Sequence, residues 1–170
     1  VLKPYIAASS KFIKDIINEI PADEFKEFVL SLDDINFDMK LFEKRFIKYF
    51  PYQTYEYYYN NLYNELLFDN EKNILNDYLE KIKTYIDNSL YDEAFKIIKT
   101  IVTSYYDCSK LNGDNFVIEI IPKLNMFLRI IYRKGNKDTR TIMSNWFKLL
   151  SDNKYYNNVY LEDMVLLISK

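Results

Sequence analysis

The side chains with chemistry to offer are carboxylates, phenols and amines: 25 Asp and Glu, 17 Tyr, and 23 Lys and Arg, beside one Cys and no His in 170 residues. Without His, neither a Ser-His-Asp triad nor an imidazole metal site can be assembled. A single Cys excludes a disulfide framework, a zinc finger and an iron–sulfur cluster. Two Gly are too few for a Walker loop or a dinucleotide fingerprint. An enzyme would have to work with carboxylates, Tyr and Lys alone. The carboxylates come in pairs at Asp23–Glu24, Asp33–Asp34, Asp92–Glu93 and Glu162–Asp163, at the starts or turns of helical patterns. Acidic residues suit such places for local electrostatic reasons. The loop around Asp107 and Asp114 lacks the ligand spacing of a calcium site. No catalytic residue, metal site or cofactor is expected, and the chain reads as a non-enzyme.

Two other groups could recognise a partner. Tyrosines crowd the segment from Tyr49 to Tyr63. Tyr52, Tyr55, Tyr59, Leu62, Tyr63 and Leu66 fit one helical face, which leaves Tyr57 and Tyr58 to an outer face. Tyr brings apolar area and a hydroxyl to an interface at low entropic cost. Basic residues gather at Lys40, Lys44, Arg45 and Lys48, and again at Arg129, Arg133, Lys134, Lys137 and Arg140 across a turn. The candidate partner-binding residues are therefore Tyr57, Tyr58, Arg129, Arg133 and Lys137, with a protein or peptide as partner. Nucleic acid is disfavoured, because the net charge is −2 and affinity for phosphates needs uncompensated positive charge. Cys108 follows a helix end, where the field opposes a thiolate.

These residues need elements to hold them, and helical periodicity runs the length of the chain. A first helix is expected after Pro4, with Ile6, Phe12, Ile13, Ile16, Ile17 and Ile20 inward, stopped by Pro21. Ala22–Leu32 and about Asp38–Tyr49 give two more. Tyr52–Phe68, Glu71–Asn88 and Tyr91–Tyr106 follow, the last two as an antiparallel hairpin with a very short loop. Cys108–Asn115, with Ser109, Asn112, Gly113, Asp114 and Asn115, is the strongest loop signal. A helix from Phe116 to Arg133 is interrupted by Pro122, which implies a kink or restart. Asp138–Leu150 and a final helix from about Tyr160 complete eight or nine helices. Strand alternation is nowhere evident. The expectation is one all-α domain of stacked antiparallel hairpins, solenoid-like, with a compact bundle as the alternative.

Some segments resemble known families. Leu90–Tyr91–Asp92–Glu93–Ala94–Phe95, after the helix ending at Asn88, resembles the turn of a tetratricopeptide-type hairpin spanning 71–106, with Ser89 where that family has Gly. About Asp77–Lys170 is similar to the helical region that accompanies the SWIM zinc finger in bacterial proteins. The likeness is carried by Gly113–Asp114, Lys137–Arg140, Trp146–Leu150 and Glu162–Asp163. The SWIM ligands, three Cys and one His, are absent, so the resemblance implies only a helical accessory region of a longer polypeptide. A regulatory domain holding a peptide or small ligand between helices, or a viral Bcl-2-like helical protein, is the alternative. The absence of an initiator Met also suggests a longer polypeptide. Abundant Asn, Ile, Lys and Tyr with scarce Ala and Gly suggests an AT-rich genome. No apolar run reaches the roughly 18 residues of a membrane span, and the single Cys fits a cytoplasmic location.

Overall fold

The computed structural model describes residues 10–32, 38–68, 71–110, 113 and 116–152. Among them are eight α-helices and no strand, so the chain is all-α. The helices form two compact units, one ending at Tyr52 and the other beginning at Gln53.

The first unit holds α1 (Ser10–Glu19), α2 (Ala22–Leu30) and α3 (Met39–Phe46), with a 3-10 turn at Ile47–Tyr49. Pro21 begins α2, its fixed φ and missing N–H suiting the boundary, and Asp23 and Glu24 face the positive end of the helix dipole. Asp38 caps α3 by accepting a hydrogen bond from the Lys40 N–H at 2.9 Å. Ile16, Ile20, Phe28, Phe42, Phe46 and Phe50 form the core. Its phenyl rings meet mostly edge to face, with Phe28–Phe46 centroids 5.2 Å apart and Phe42–Phe50 5.8 Å.

The second unit is built around α6. It contains α4 (Tyr55–Leu67), α5 (Glu71–Asp87), α6 (Tyr91–Asp107), α7 (Ile121–Lys134) and α8 (Lys137–Asp152), with a π-helical turn at Phe116–Ile120. The restart expected at Pro122 is this change from π to α winding, with Pro122 in the first turn of α7, where its lack of an N–H costs least. Helices α5 and α6 form the expected hairpin. A Schellman motif closes it: the Leu90 N–H reaches the Tyr85 carbonyl at 2.8 Å and the Ser89 N–H that of Ile86 at 3.0 Å. Ser89 itself adopts φ 60°, the left-handed conformation that glycine takes without strain. The end of α6 repeats the device, with Ser109 at φ 56°.

The apolar stripe of α6, Ala94, Phe95, Ile98, Ile101, Val102 and Tyr105, is buried, and so are Ile97, Thr100 and Ser104 outside it. The helix is enclosed on more than one face. Helix α4 lies along it in the same direction, because their contacts advance together: Lys96 Nζ donates to the Gln53 carbonyl, Tyr59 to Asp107, and Lys110 to the Leu66 carbonyl. The expected helix from Tyr160 lies outside the described residues, as do Pro4, Ile6, Asp33–Asp34 and Glu162–Asp163.

Candidate interaction surface

The tyrosine-rich helix α4 starts at Thr54, whose hydroxyl accepts from the Tyr57 N–H at 3.2 Å. Its buried ridge is Tyr58, Leu62 and Leu66, spaced by four. Tyr58 is therefore not on an outer face: it is 3% exposed, with its hydroxyl 3.4 Å from that of Tyr85. Its backbone carbonyl accepts from the Tyr78 hydroxyl at 3.0 Å. Burial pushes the Tyr78 phenol up, helped by the charges of Tyr57 and Glu65. Tyr57 is half-buried and stands edge-on to Tyr58 at 5.7 Å, so it too is engaged by the core's rim. The spacing of Tyr58 to Leu62 and Leu66 carried this assignment, and grouping by the majority of tyrosines obscured it.

Tyr55, Tyr59 and Tyr63, expected inside, form a half-buried stacked row with centroids 5.9 and 5.6 Å apart. The Tyr59 hydroxyl donates to Asp107 at 2.6 Å, a bond that raises its pKa far above the usual phenol value, with burial adding to it. Tyr52, also expected on that face, is exposed.

The basic turn keeps its expected place. Arg129 and Arg133 project from α7 and Lys137 from the first turn of α8, all exposed. Gly135 and Asn136 join the two helices. The Asn136 side chain caps α8 by accepting from the Thr139 N–H at 2.8 Å. Buried Thr139 donates its hydroxyl to Asp92 Oδ1 at 2.6 Å, tying the start of α8 to the start of α6. Arg140 closes the end of α7, donating to the carbonyls of Tyr132 at 2.9 Å and Arg133 at 3.2 Å.

The charge of this hairpin is one-sided. From Ile121 to Leu149 there are seven basic residues, Lys123, Arg129, Arg133, Lys134, Lys137, Arg140 and Lys148, against one acidic residue, Asp138, in a chain of net charge −2. All seven are exposed. Arg133 and Lys134 suit the negative end of α7, but Lys137 sits at the positive end of α8, where a cation gains nothing locally. Among them lie exposed apolar side chains: Met126 at 51%, Ile142 at 44% and Leu149 at 68%. Ile142 and Leu149 are seven residues apart and share one face of α8, distinct from its buried stripe of Thr139, Met143, Phe147 and Leu150. By spacing alone Ile142 groups with Met143, Trp146, Phe147 and Leu150 as an inward residue, but the structure exposes it.

Four carboxylates each have a separate partner. Glu24 pairs with Lys48 at 3.4 Å, Glu93 with Lys96 at 2.6 Å, and Asp92 and Asp107 accept from hydroxyls. Among the described residues no group of three or more His, Cys, Asp or Glu could hold a metal ion, and no helix is long and apolar enough to cross a membrane. Comparison with known protein families, curated proteins and solved structures finds no match for this chain.

Proposed function

We propose that the chain is a non-enzymatic helical scaffold that binds a protein partner through the exposed surface of α7 and α8. One observation carries this reading: seven exposed Lys and Arg face a single Asp138 and are interspersed with exposed Met126, Ile142 and Leu149. Charges at an interface rim steer encounter, and desolvated apolar groups supply the affinity. The complementary partner is acidic with apolar side chains among its charges. The same proposal includes a cytoplasmic setting and a tetratricopeptide-like role for the α5–α6 hairpin.

The test is cross-linking in cells of the source organism, with the wild type and with an Arg129→Glu, Arg133→Glu, Lys137→Glu variant. These side chains are exposed, so Arg129→Glu and Lys137→Glu should each change stability by about 0.5 kcal/mol or less, and Arg133→Glu, which puts a negative charge at the C-terminal end of α7, should cost about 0.3–1 kcal/mol. Loss of the cross-linked partners, together with a wild-type yield that falls as salt rises, is the expected result. Recovery of the same partners at the same yield would remove this surface from consideration.

A further inference from the structure

The positive hairpin has a negative counterpart in the same unit. From Gln53 to Glu80 the sequence holds six acidic residues against Lys72, and from Ile121 to Leu149 seven basic residues against Asp138. The remaining stretches, 1–52, 81–120 and 150–170, each lie within one charge of neutrality. The small net charge of the chain therefore conceals two opposite concentrations, one on α4 and α5 and one on α7 and α8. Asp77 and Glu80 are exposed and stand beyond the first turn of α5, where the helix dipole gives an acid no local advantage.

Exposed apolar side chains follow the same division. Among the described residues of this unit, the large ones are Leu67 at 56% and Phe68 at 76% where α4 ends, Met126, Ile142 and Leu149 on α7 and α8, and Ile118 in the π-helical turn. Helix α6 holds the two groups apart. Lys110, just past its C-terminal end, donates to the Leu66 carbonyl at 2.8 Å, while Asp92 in its first turn accepts from Thr139 at 2.6 Å. Trp146 and Phe147 of α8 pack on Phe95, near that same first turn. Leu67 and Phe68 thus lie at one end of α6 and the α7–α8 turn at the other. At 1.5 Å per residue, Asp92 and Asp107 are about 20 Å apart. The Leu67–Phe68 end cannot cover the α7–α8 turn within one molecule, but two molecules set head to tail bring them together.

Resting on the docking reading above, we propose that the acidic partner of the α7–α8 surface is a second copy of this chain, which offers Leu67, Phe68, Asp77 and Glu80. Opposite charges orient the encounter, and the apolar groups supply the affinity. The contact is heterologous, since one copy uses a different surface from the next. A pair still presents one surface of each kind, so association continues to a ring or a stack instead of stopping at the dimer.

The experiment measures the mass of the purified full chain by sedimentation equilibrium over a wide range of concentration. The wild type should exceed its monomer mass of 20.6 kDa as concentration rises, pass the dimer, and return toward the monomer as salt rises. One variant, Arg129→Gln, Arg133→Gln, Lys137→Gln, removes the positive surface. Another, Phe68→Ser, Asp77→Asn, Glu80→Gln, removes the negative one. All six side chains are exposed, and circular dichroism checks that each variant keeps its helices. Each variant alone should remain monomeric. Mixed, they retain one intact surface of each kind and should form a 1:1 complex of twice the monomer mass that grows no further. A wild type that stays monomeric at every concentration overturns the proposal, as does self-association that survives in either variant or a mixture that forms no complex. If the monomeric wild type still forms cellular cross-links that depend on Arg129, Arg133 and Lys137, the docking surface stands with a different acidic protein on it; loss of that dependence removes both readings.

Discussion

Replacing Gly135 with Ala tests how closely α7 and α8 approach at their turn. A Cβ at this position would lie 2.6 Å from the Ile131 carbonyl oxygen and 2.9 Å from Thr139 Cγ2. The backbone of Gly135, at φ −65° and ψ 157°, is open to any residue, so the penalty is purely steric. The Ile131 oxygen belongs to the last turn of α7 and already accepts the Gly135 N–H at 2.7 Å, so it cannot move without straining that bond. Thr139 cannot rotate away without losing Asp92 and Asn136. Overpacking of this kind costs about 1–3 kcal/mol. The reduced entropy of the unfolded chain returns about 0.4–1 kcal/mol, which leaves a net loss of about 1.3 kcal/mol at the midpoints of the two ranges. In urea that lowers the unfolding midpoint by about 0.5–1 M. The readout is the fluorescence of Trp146, the single Trp, which packs on Phe95 and Phe147 in the same unit as the turn. Thr139→Ser removes Cγ2 and keeps the hydroxyl, so adding it to Gly135→Ala should recover only part of the loss. A midpoint for Gly135→Ala at or above that of the wild type would refute the reasoning. Full recovery in the double variant would show that the backbone contact does not matter.

Two further outcomes follow from local geometry. Ser89→Gly and Ser109→Gly should each stabilise the second unit by about 0.5–1 kcal/mol, because each replaces a left-handed serine in a Schellman turn; a thermal melt that moves down in either variant counts against the strain argument. The raised pKa of Tyr78 means that the folded chain holds its phenol proton after the unfolded chain has released it, so stability is fully present below pH 10.0 and falls as pH rises above it. Urea midpoints measured across that range should decline, and Tyr78→Phe should flatten the decline; an equal slope in the variant would assign it elsewhere.

Most of the secondary structure is legible locally. Apolar spacing locates α2, α5, α6 and α8 to within a few residues, Pro21 and Pro122 mark boundaries, and the charge of the α7–α8 turn can be read directly. The orientation of α4 cannot. A helix with aromatic residues at 55, 57, 58, 59 and 63 has more than one plausible inner face, and only contact with Tyr78 and Tyr85 selects the ridge through Tyr58.

What the sequence by itself determined is an all-helical chain without imidazole, with a single thiol, and with a strong excess of basic over acidic residues between Ile121 and Leu149. Those properties depend on composition and on a 3.6-residue period, both carried by neighbours in the chain. The tertiary structure alone decided the burial of Tyr58, the exposure of Ile142 and the enclosure of α6. Each depends on residues tens of positions away, because a helix specifies its own faces but not which neighbour will cover them.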